Sequence, residues 1–285
     1  MKRLGITTDC VCDLPDEYLR LHDVELMYFY ITTETGRFKD VMEVTAENIL
    51  DHLESGGKKA ETNAPAPEEY KGFFENRLKD YDELIHISIS GHISDSSKNA
   101  SAALGLMGDN GKRVHVIDSE HLSTGMGHIV IKAVEMRDGG SSAEEIIAAL
   151  GEMKSKVSTS FIAMSADYLY RNGRVSKKIR DLVSLLNLHP ILCMKNGKMA
   201  LKGVEAGNPE KAVLRYIKKE LKNKKNINTK RIFITHAYCS VKNIADVKAA
   251  VEKYCSFEEM IVTKASATVS GNCGPGTVGV LYVFE

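Results

Sequence analysis

The most constraining feature of this sequence is a regular alternation of short apolar runs with longer stretches whose apolar residues recur at helical spacing. The short runs predict strands and the longer stretches predict helices that connect them. Strands are predicted at residues 4–8, 25–31, 84–88, 113–117, 161–164, 231–236, 260–264 and 278–284. Helices are predicted at residues 45–53, 67–78, 128–137, 142–156, 208–222 and 241–254. This alternation is typical of an α/β protein with parallel or mixed sheets covered by helices.

An Asn-Gly pair in the second half of the chain predicts a β-hairpin. Asn196 and Gly197 separate two short extended runs, 190–194 and 198–201, and this dipeptide favours the tight turn of a hairpin. The C-terminal sheet is therefore expected to be mixed. The first group of helices ends near residues 154–160, which predicts an N-terminal domain at 1–156 and a C-terminal domain at 157–285.

Charge and composition narrow the functional classes. Lysine plus arginine equals aspartate plus glutamate at 38 each, so no net field favours a nucleic-acid partner. The N-terminal residues lack the apolar core of a signal peptide and no run approaches the roughly 18 apolar residues of a membrane span, which predicts a cytoplasmic protein. The six cysteines lack metal-site or disulfide spacing, so we expect reduced thiols, no metal and no cofactor.

Two turns are candidate anion sites. Thr62 and Asn63 lie in a proline-stiffened turn before a predicted helix, where free amides and the helix dipole favour a carboxylate or phosphate. Ser94 and Ser96 lie in a turn with five hydroxyls between a predicted strand and a helical pattern, the place where open α/β sheets bind ligands. The alternative interpretation of both turns is helix capping alone.

Three further segments have functional and structural interpretations. Residues 118–127 contain Gly125 and Gly127 without the third glycine of a dinucleotide site, so close backbone packing is favoured over NAD, and Asp118 is either an acid or a loop acceptor. Residues 270–279 are rich in glycine, so Gly271 allows close approach of a ligand and Asn272 offers a donor. Residues 171–180 hold five cations, which form either a docking surface or a solvated helix start.

Taken together, these segments resemble the DegV family of bacterial fatty-acid-binding proteins over nearly the whole chain, because eight of them occur in the family's order. The matching segments are Thr8-Asp9 with Asp13-Leu14-Pro15, Lys39-Asp40 with Val44-Thr45, Thr62-Asn63-Ala64-Pro65, Ile93-Ser94-Asp95-Ser96, Asp118-Ser119 with Gly125 and Gly127, Asn172-Gly173-Arg174-Val175, His189-Pro190-Ile191-Leu192, and Gly274-Pro275-Gly276.

The resemblance implies a two-domain α/β fold, with a parallel N-terminal sheet, a mixed C-terminal sheet and one long-chain fatty acid between the domains. It implies that the chain is a carrier and not itself an enzyme. Thr62 and Ser94 would hold the carboxylate, assisted by Asn63, Ser96, Gly271 and Asn272. A separate fatty acid kinase would phosphorylate that carboxylate after docking at Arg171, Arg174 and Lys177. Membrane contact would be transient.

The sequence departs from the family pattern at the head-group site. Asp95 replaces a glycine, Ser96 a threonine, and Asn272 a histidine. A carboxylate at Asp95 would repel a bound carboxylate unless its side chain points away. Two alternatives remain: an acyl or small-anion hydrolase with Ser94 or Ser90 as nucleophile, although no G-x-S-x-G motif is present, and a lipid-stabilised regulatory module that binds a partner through residues 171–180.

Overall fold

A computed structural model describes residues 3–58, 60–173 and 175–285, in which thirteen strands and eleven α-helices alternate. The strands are β1 Leu4–Asp9, β2 Val24–Met27, β3 Tyr30–Thr33, β4 Gly36–Lys39, β5 Glu61–Asn63, β6 Glu83–Ser88, β7 Val114–Asp118, β8 Val157–Ile162, β9 Leu188–Lys195, β10 Lys198–Ala206, β11 Ile227–His236, β12 Glu259–Lys264 and β13 Val278–Phe284. The helices are α1 Asp16–Leu21, α2 Ala46–Glu54, α3 Pro67–Arg77, α4 Ser96–Leu106, α5 Ser123–Asp138, α6 Ala143–Met153, α7 Asp167–Arg171, α8 Lys177–Leu185, α9 Pro209–Leu221, α10 Val241–Tyr254 and α11 Ala267–Cys273.

The N-terminal half contains a parallel sheet of four strands in the order β2-β1-β6-β7. Its central strands β1 and β6 are almost wholly buried, as expected for a parallel sheet with helices on its faces. The carboxyl ends of β1, β6 and β7 lie along one edge. That edge therefore brings together Asp9, the turn after Ser88 and the turn after Asp118.

The C-terminal half contains a mixed sheet of six strands in the order β10-β9-β8-β13-β11-β12, in which only β11 and β12 pair in parallel. This confirms the predicted fold class. The predicted hairpin is also confirmed, since β9 and β10 pair antiparallel around Asn196 and Gly197, whose φ angles are 50° and 75°. Two successive positive φ angles suit the twist of the flanking strands.

A third sheet was not predicted. It is antiparallel, has the order β4-β3-β5, and splits the strand expected at residues 25–31 into β2 and β3. The break falls at Phe29, whose amide donates to Cys10 Sγ and whose carbonyl accepts from the Asp40 amide, so the chain leaves the first sheet there. Strands of three or four residues are too short to show a periodic pattern.

Helix α5 lies between the two large sheets and contacts β1 on one side and β8 and β13 on the other. It begins at Ser123, five residues before the predicted start at His128. Its first two turns are buried on all sides and therefore lack the amphipathic pattern on which the prediction depended. His128 links the two halves through a bond between Nε2 and the Leu281 carbonyl at 3.0 Å, and burial lowers the pKa of this histidine to about 4.

The strands also show how the two halves of the chain divide. All strands of the four-stranded and three-stranded sheets lie before residue 119, and all strands of the six-stranded sheet begin at or after Val157. The boundary expected between residues 156 and 157 lies between a 3-10 turn, Lys154–Lys156, and β8. Within the described ranges, no helix is both long enough and apolar enough to cross a membrane.

Candidate functional site

A cavity of about 350 Å³ lies between the parallel sheet and the six-stranded sheet. Its outer wall consists of polar residues that are exposed or half-buried: Thr62, Asn63, Ser94, Asp95, Asn99 and Asn272. Its inner wall includes buried apolar residues: Phe29, Ile89, Leu122, Phe161, Leu169, Ala237 and Leu281. The cavity thus has a polar mouth and an apolar interior, an arrangement that suits a ligand with one polar end.

Three of the predicted head-group residues meet at the mouth although they are far apart in sequence. Thr62 lies on β5, Asn272 lies in the last turn of α11, and Ser94 lies between β6 and α4. Asn272 Nδ2 is 3.4 Å from Thr62 Oγ1 and donates to the Thr268 carbonyl at 2.8 Å. Asn63 lies in the same wall. Hydroxyl and amide groups from three separate segments therefore lie in one wall, and groups of this kind can donate hydrogen bonds to an anion.

Two predicted residues lie outside the cavity wall. Ser96 is fully buried and its hydroxyl donates to Asp9 Oδ2 at 2.5 Å. Gly271 is buried in α11, and its carbonyl accepts a hydrogen bond from Asn172 Nδ2 at 3.0 Å. Both residues hold the framework of the site: Ser96 joins α4 to β1, and Gly271 joins α11 to the segment after α7.

Asp9 organises the turn that carries Ser94. Its Oδ2 accepts from the Ile89 amide at 2.9 Å as well as from Ser96, and its Oδ1 accepts from the Tyr70 hydroxyl at 2.8 Å. Buried carboxylates are stable only when such donors satisfy their oxygens. Asp9 belongs to one of the family-like segments, but nothing in that segment shows which loop its side chain contacts, so no role was predicted for it.

Asp95 is exposed and lies in the cavity wall beside Ser94. Its carboxylate is therefore close enough to the mouth to affect a bound anion, and water screens that effect because the side chain is exposed. The predicted conflict between Asp95 and a carboxylate ligand is thus weakened by solvent.

The interior wall contains several hydroxyls, and all of these except that of Thr268 bond to a group of the protein. Thr159 pairs with His121 Nδ1 at 2.8 Å, Ser160 with the Tyr216 hydroxyl at 2.9 Å, and Thr235 with hydroxyls of Thr124 and Thr263 at 2.7 and 2.8 Å. Ser123 donates to Asp13 and Thr277 donates to the Cys273 carbonyl. These polar atoms are therefore satisfied within the protein, so a hydrocarbon chain meets few unsatisfied groups there.

Two buried carboxylates of the N-terminal half hold the start of α11. Asp13 Oδ1 accepts from the Ser266 amide at 2.9 Å, while Asp40 accepts from the amides of Ala267 and Thr268, both at 2.9 Å. Burial raises the pKa of Asp13 to about 7, and it also raises the pKa of Asp40. These contacts position the helix that carries Asn272.

Thr268 is a wall residue that sequence reasoning missed. It lies in the cavity wall and is 7% exposed. Its Oγ1 has no hydrogen-bond partner within the described residues. The hydroxyl favours the ionised form of Asp40 and so opposes part of the rise in the pKa of that carboxyl. Its position follows from helix α11, which the glycine-rich sequence did not predict.

Two of the three residues expected to dock a partner lie on the surface. Arg171 and Lys177 are exposed, and the Arg171 guanidinium lies 5.6 Å from the centre of the Tyr168 ring. Arg174 lies outside the described residues. Helix α8 follows with exposed apolar side chains, including Leu182 at 54% and Leu185 at 82%. The surface is thus basic and apolar together.

The nucleophile alternative finds no support in the geometry. The Ser90 hydroxyl is buried and donates to the Gly197 carbonyl at 2.6 Å, and the Ser94 hydroxyl accepts from the Ser96 amide at 3.2 Å. In the part of the chain that the structure describes, no imidazole or carboxylate bonds to either hydroxyl, although an activated serine needs such a base. The same residues contain no group of three or more histidine, cysteine or acidic side chains that could hold a metal.

The geometry agrees with comparisons to known proteins. A family model described as uncharacterised protein, DegV family, matches residues 3–285, so the chain belongs to the DegV family. A DegV domain-containing protein of Caldanaerobacter subterraneus subsp. tengcongensis is 27% identical over 283 residues, covering 99% of each chain. A DegV family protein from Thermus thermophilus, solved for its fatty acid binding, has a TM-score of 0.87 and 25% identity, covering 99% of this chain and 100% of that one.

A further solved structure shares the fold. The Streptococcus pneumoniae fatty acid kinase (Fak) B3 protein, loaded with linoleic acid, has a TM-score of 0.84 at 19% identity, covering 99% of this chain and 100% of that one. At that identity the likeness is one of fold. The DegV assignment made from the eight sequence segments is thus confirmed by the family match.

Proposed function

We propose that this chain is a carrier that binds one long-chain fatty acid in the cavity between its two halves. The observation that carries the proposal is the polar mouth, where Thr62, Ser94 and Asn272 meet above an apolar interior. A chain of roughly fifteen methylenes at about 0.8 kcal/mol each contributes on the order of 10 kcal/mol before association costs. The interior thus supplies the affinity, and the mouth orients the carboxylate.

The donors of the mouth are neutral, which suits a carrier whose cargo must leave. Thr62, Asn63, Ser94 and Asn272 offer hydroxyl and amide groups, and no arginine or lysine lines the cavity within the described residues. Hydrogen bonds from neutral donors to a carboxylate contribute about 1.5–3 kcal/mol each, after the competition from water is taken into account. The carboxylate stays at the exposed end of the cavity, accessible to a second protein.

The test of this proposal is mass spectrometry of the freshly purified protein, both as the intact native complex and after organic extraction. We expect one fatty acid per chain, with a long acyl chain, because the proposal places a single ligand in this cavity. A protein that is empty and also fails to take up added fatty acid would contradict the proposal. Reaction with a fluorophosphonate probe at Ser94 or Ser90 would instead support the hydrolase.

We further propose that the loaded chain works in the cytoplasm and presents the carboxylate to a separate fatty acid kinase, which forms the acyl phosphate. Two features support docking beside the mouth: exposed Arg171 and Lys177, and the bond from Asn172 to the Gly271 carbonyl that connects their segment to α11. The exposed leucines of α8 next to these cations also suit brief contact with an anionic membrane during loading.

Charge reversal at Arg171 and Lys177 tests the docking surface. We expect the Arg171→Glu, Lys177→Glu double variant to raise the KM of a fatty acid kinase for the loaded carrier about tenfold or more, because rim charges govern productive encounter. The affinity for fatty acid should stay within about twofold. The matched control is the Lys242→Glu, Lys248→Glu pair on α10, whose side chains are also exposed. Equal KM values for both double variants would contradict docking at this surface.

A further inference from the structure

A second cavity adjoins the fatty-acid cavity. Its volume is about 640 Å³, larger than the first, and it lies between the segments 10–19 and 41–47 of the N-terminal half and the segments 236–244 and 264–267 of the C-terminal half. Two residues, His236 and Ala265, line both cavities. These two residues lie where the two cavities adjoin, and we call the pair the junction.

The junction lies at the opposite end of α11 from the head-group residues. Ala265 precedes the helix and Asn272 lies in its last turn, so seven residues at a rise of 1.5 Å separate them by about 10 Å. An extended hydrocarbon advances about 1.25 Å per carbon, given C–C bonds of about 1.5 Å and near-tetrahedral angles. About eight carbons thus cover this distance, while an eighteen-carbon acid is roughly 21 Å long.

We propose that the distal part of a long acyl chain passes His236 and Ala265 into the second cavity, so that this junction selects ligands by chain length. The inference rests on the proposed function, because it assumes a fatty acid whose carboxylate lies at Thr62 and Asn272. Acids of up to about eight carbons end before the junction, and longer acids cross it.

The wall of the second cavity suits a hydrocarbon. Leu14, Leu19, Val44 and Ile244 contribute apolar surface. Cys239 also lies in the wall, and burial raises the pKa of its thiol to about 11, so it is neutral at physiological pH.

The charged groups of the second cavity are paired or lie at its rim. Both carboxylate oxygens of Asp13 accept hydrogen bonds, from Ser266 and Ser123. Lys264 is 73% exposed and pairs with Glu47 at 3.0 Å. An acyl chain can therefore occupy the interior without burying an unpaired charge.

The junction itself is uncharged and held in place. His236 is 7% exposed, its Nδ1 accepts from the Cys239 amide at 3.3 Å, and burial followed by the charge of Lys264 lowers its pKa, so the imidazole is neutral at pH 7. The Ala265 amide donates to the His236 carbonyl at 2.9 Å, which fixes the two residues against each other.

The decisive variant is Ala265→Leu, which adds three carbons to the junction. We expect the affinity for an eighteen-carbon acid to fall about 100-fold or more, while that for an eight-carbon acid changes less than threefold. Each methylene kept out of an apolar site costs about fourfold in affinity, so excluding four of them costs a few hundredfold. The measurement is a titration series of saturated acids from eight to eighteen carbons against the delipidated protein.

The matched control is Ala148→Leu at an exposed position of α6, which should leave every affinity unchanged. If Ala265→Leu fails to fold, Ala46→Phe serves instead, because Ala46 lines the second cavity only and its enlargement should also reduce binding of the longest acids selectively. The proposal would be overturned if the variant that folds lost affinity equally for acids of all chain lengths, or lost none for the eighteen-carbon acid. Wild-type protein that binds no acid of any length would overturn the proposed function instead.

Discussion

Between pH 4 and pH 8, the free energy of unfolding of the delipidated protein should fall by about 4 kcal/mol relative to that of the Asp13→Asn variant. Burial raises the pKa of Asp13 to about 7 in the folded protein, whereas an unfolded aspartate titrates near 3.9. Because this pKa is raised on folding, the native state binds the extra proton in that window. The stabilisation is complete below pH 4 and is lost as the pH rises through 7.

Asparagine is a suitable replacement because it retains an acceptor for the Ser266 amide and has no charge to bury. Urea unfolding of both proteins at several pH values gives the difference directly, and other titrating groups cancel. Among them is His128, whose pKa is lowered and which acts in the opposite direction between about pH 4 and 6.5. The control is Asp51→Asn, which removes an exposed carboxylate on α2 and should leave the pH dependence of the free energy of unfolding unchanged. If the free energy of unfolding changes with pH in the same way for wild type and Asp13→Asn, the pKa of Asp13 is not raised in the folded protein.

The Thr62→Val substitution should reduce the affinity for hexadecanoate about 30-fold. Valine keeps the shape of threonine but removes the hydroxyl that faces the mouth beside Asn272, and a hydrogen bond to a charged group is worth about 2 kcal/mol. Asn272 keeps its bond to the Thr268 carbonyl, so the mouth should not rearrange. Competitive displacement of a fluorescent fatty acid measures the loss.

A ligand comparison separates the head group from the chain. For hexadecanol, which is uncharged, Thr62→Val should cost less than about fivefold, because the bond it removes involves no charge. Thr229→Val, at an exposed strand position of β11, should have no effect on either ligand. If hexadecanoate binds the Thr62 variant within threefold of wild type, the carboxylate does not lie at Thr62.

The large elements were predictable because their signals are local. The strands of the two large sheets show apolar runs, and Asn196-Gly197 specifies its turn from two residues. Two parts of the fold were not predicted. The first turns of α5 are buried on every side and show no amphipathic pattern, whereas the strands β3, β4 and β5 are too short to show any period. Both depend on contacts with distant parts of the chain, so no short stretch of sequence predicts them.

The residues at the mouth of the cavity were predictable only in part. Thr62, Ser94 and Asn272 were proposed from turns and family motifs, and the structure brings them to one mouth. Ser96 was proposed with them, but it is the first residue of α4 and its hydroxyl donates to Asp9, outside the cavity wall. Thr268 lacked a signal because its exposure to the cavity depends on α11 being held by carboxylates more than 200 residues earlier in the chain.

The hydroxyls of the inner wall constrain how this cavity can change. Thr159 cannot become valine without leaving His121 Nδ1 unsatisfied, and loss of the Ser160 hydroxyl would remove a partner of Tyr216, although neither His121 nor Tyr216 lines the cavity. A single replacement therefore costs stability before it alters the ligand. New ligand preferences in such a protein should arise through paired substitutions, one in the wall and one in the layer behind it.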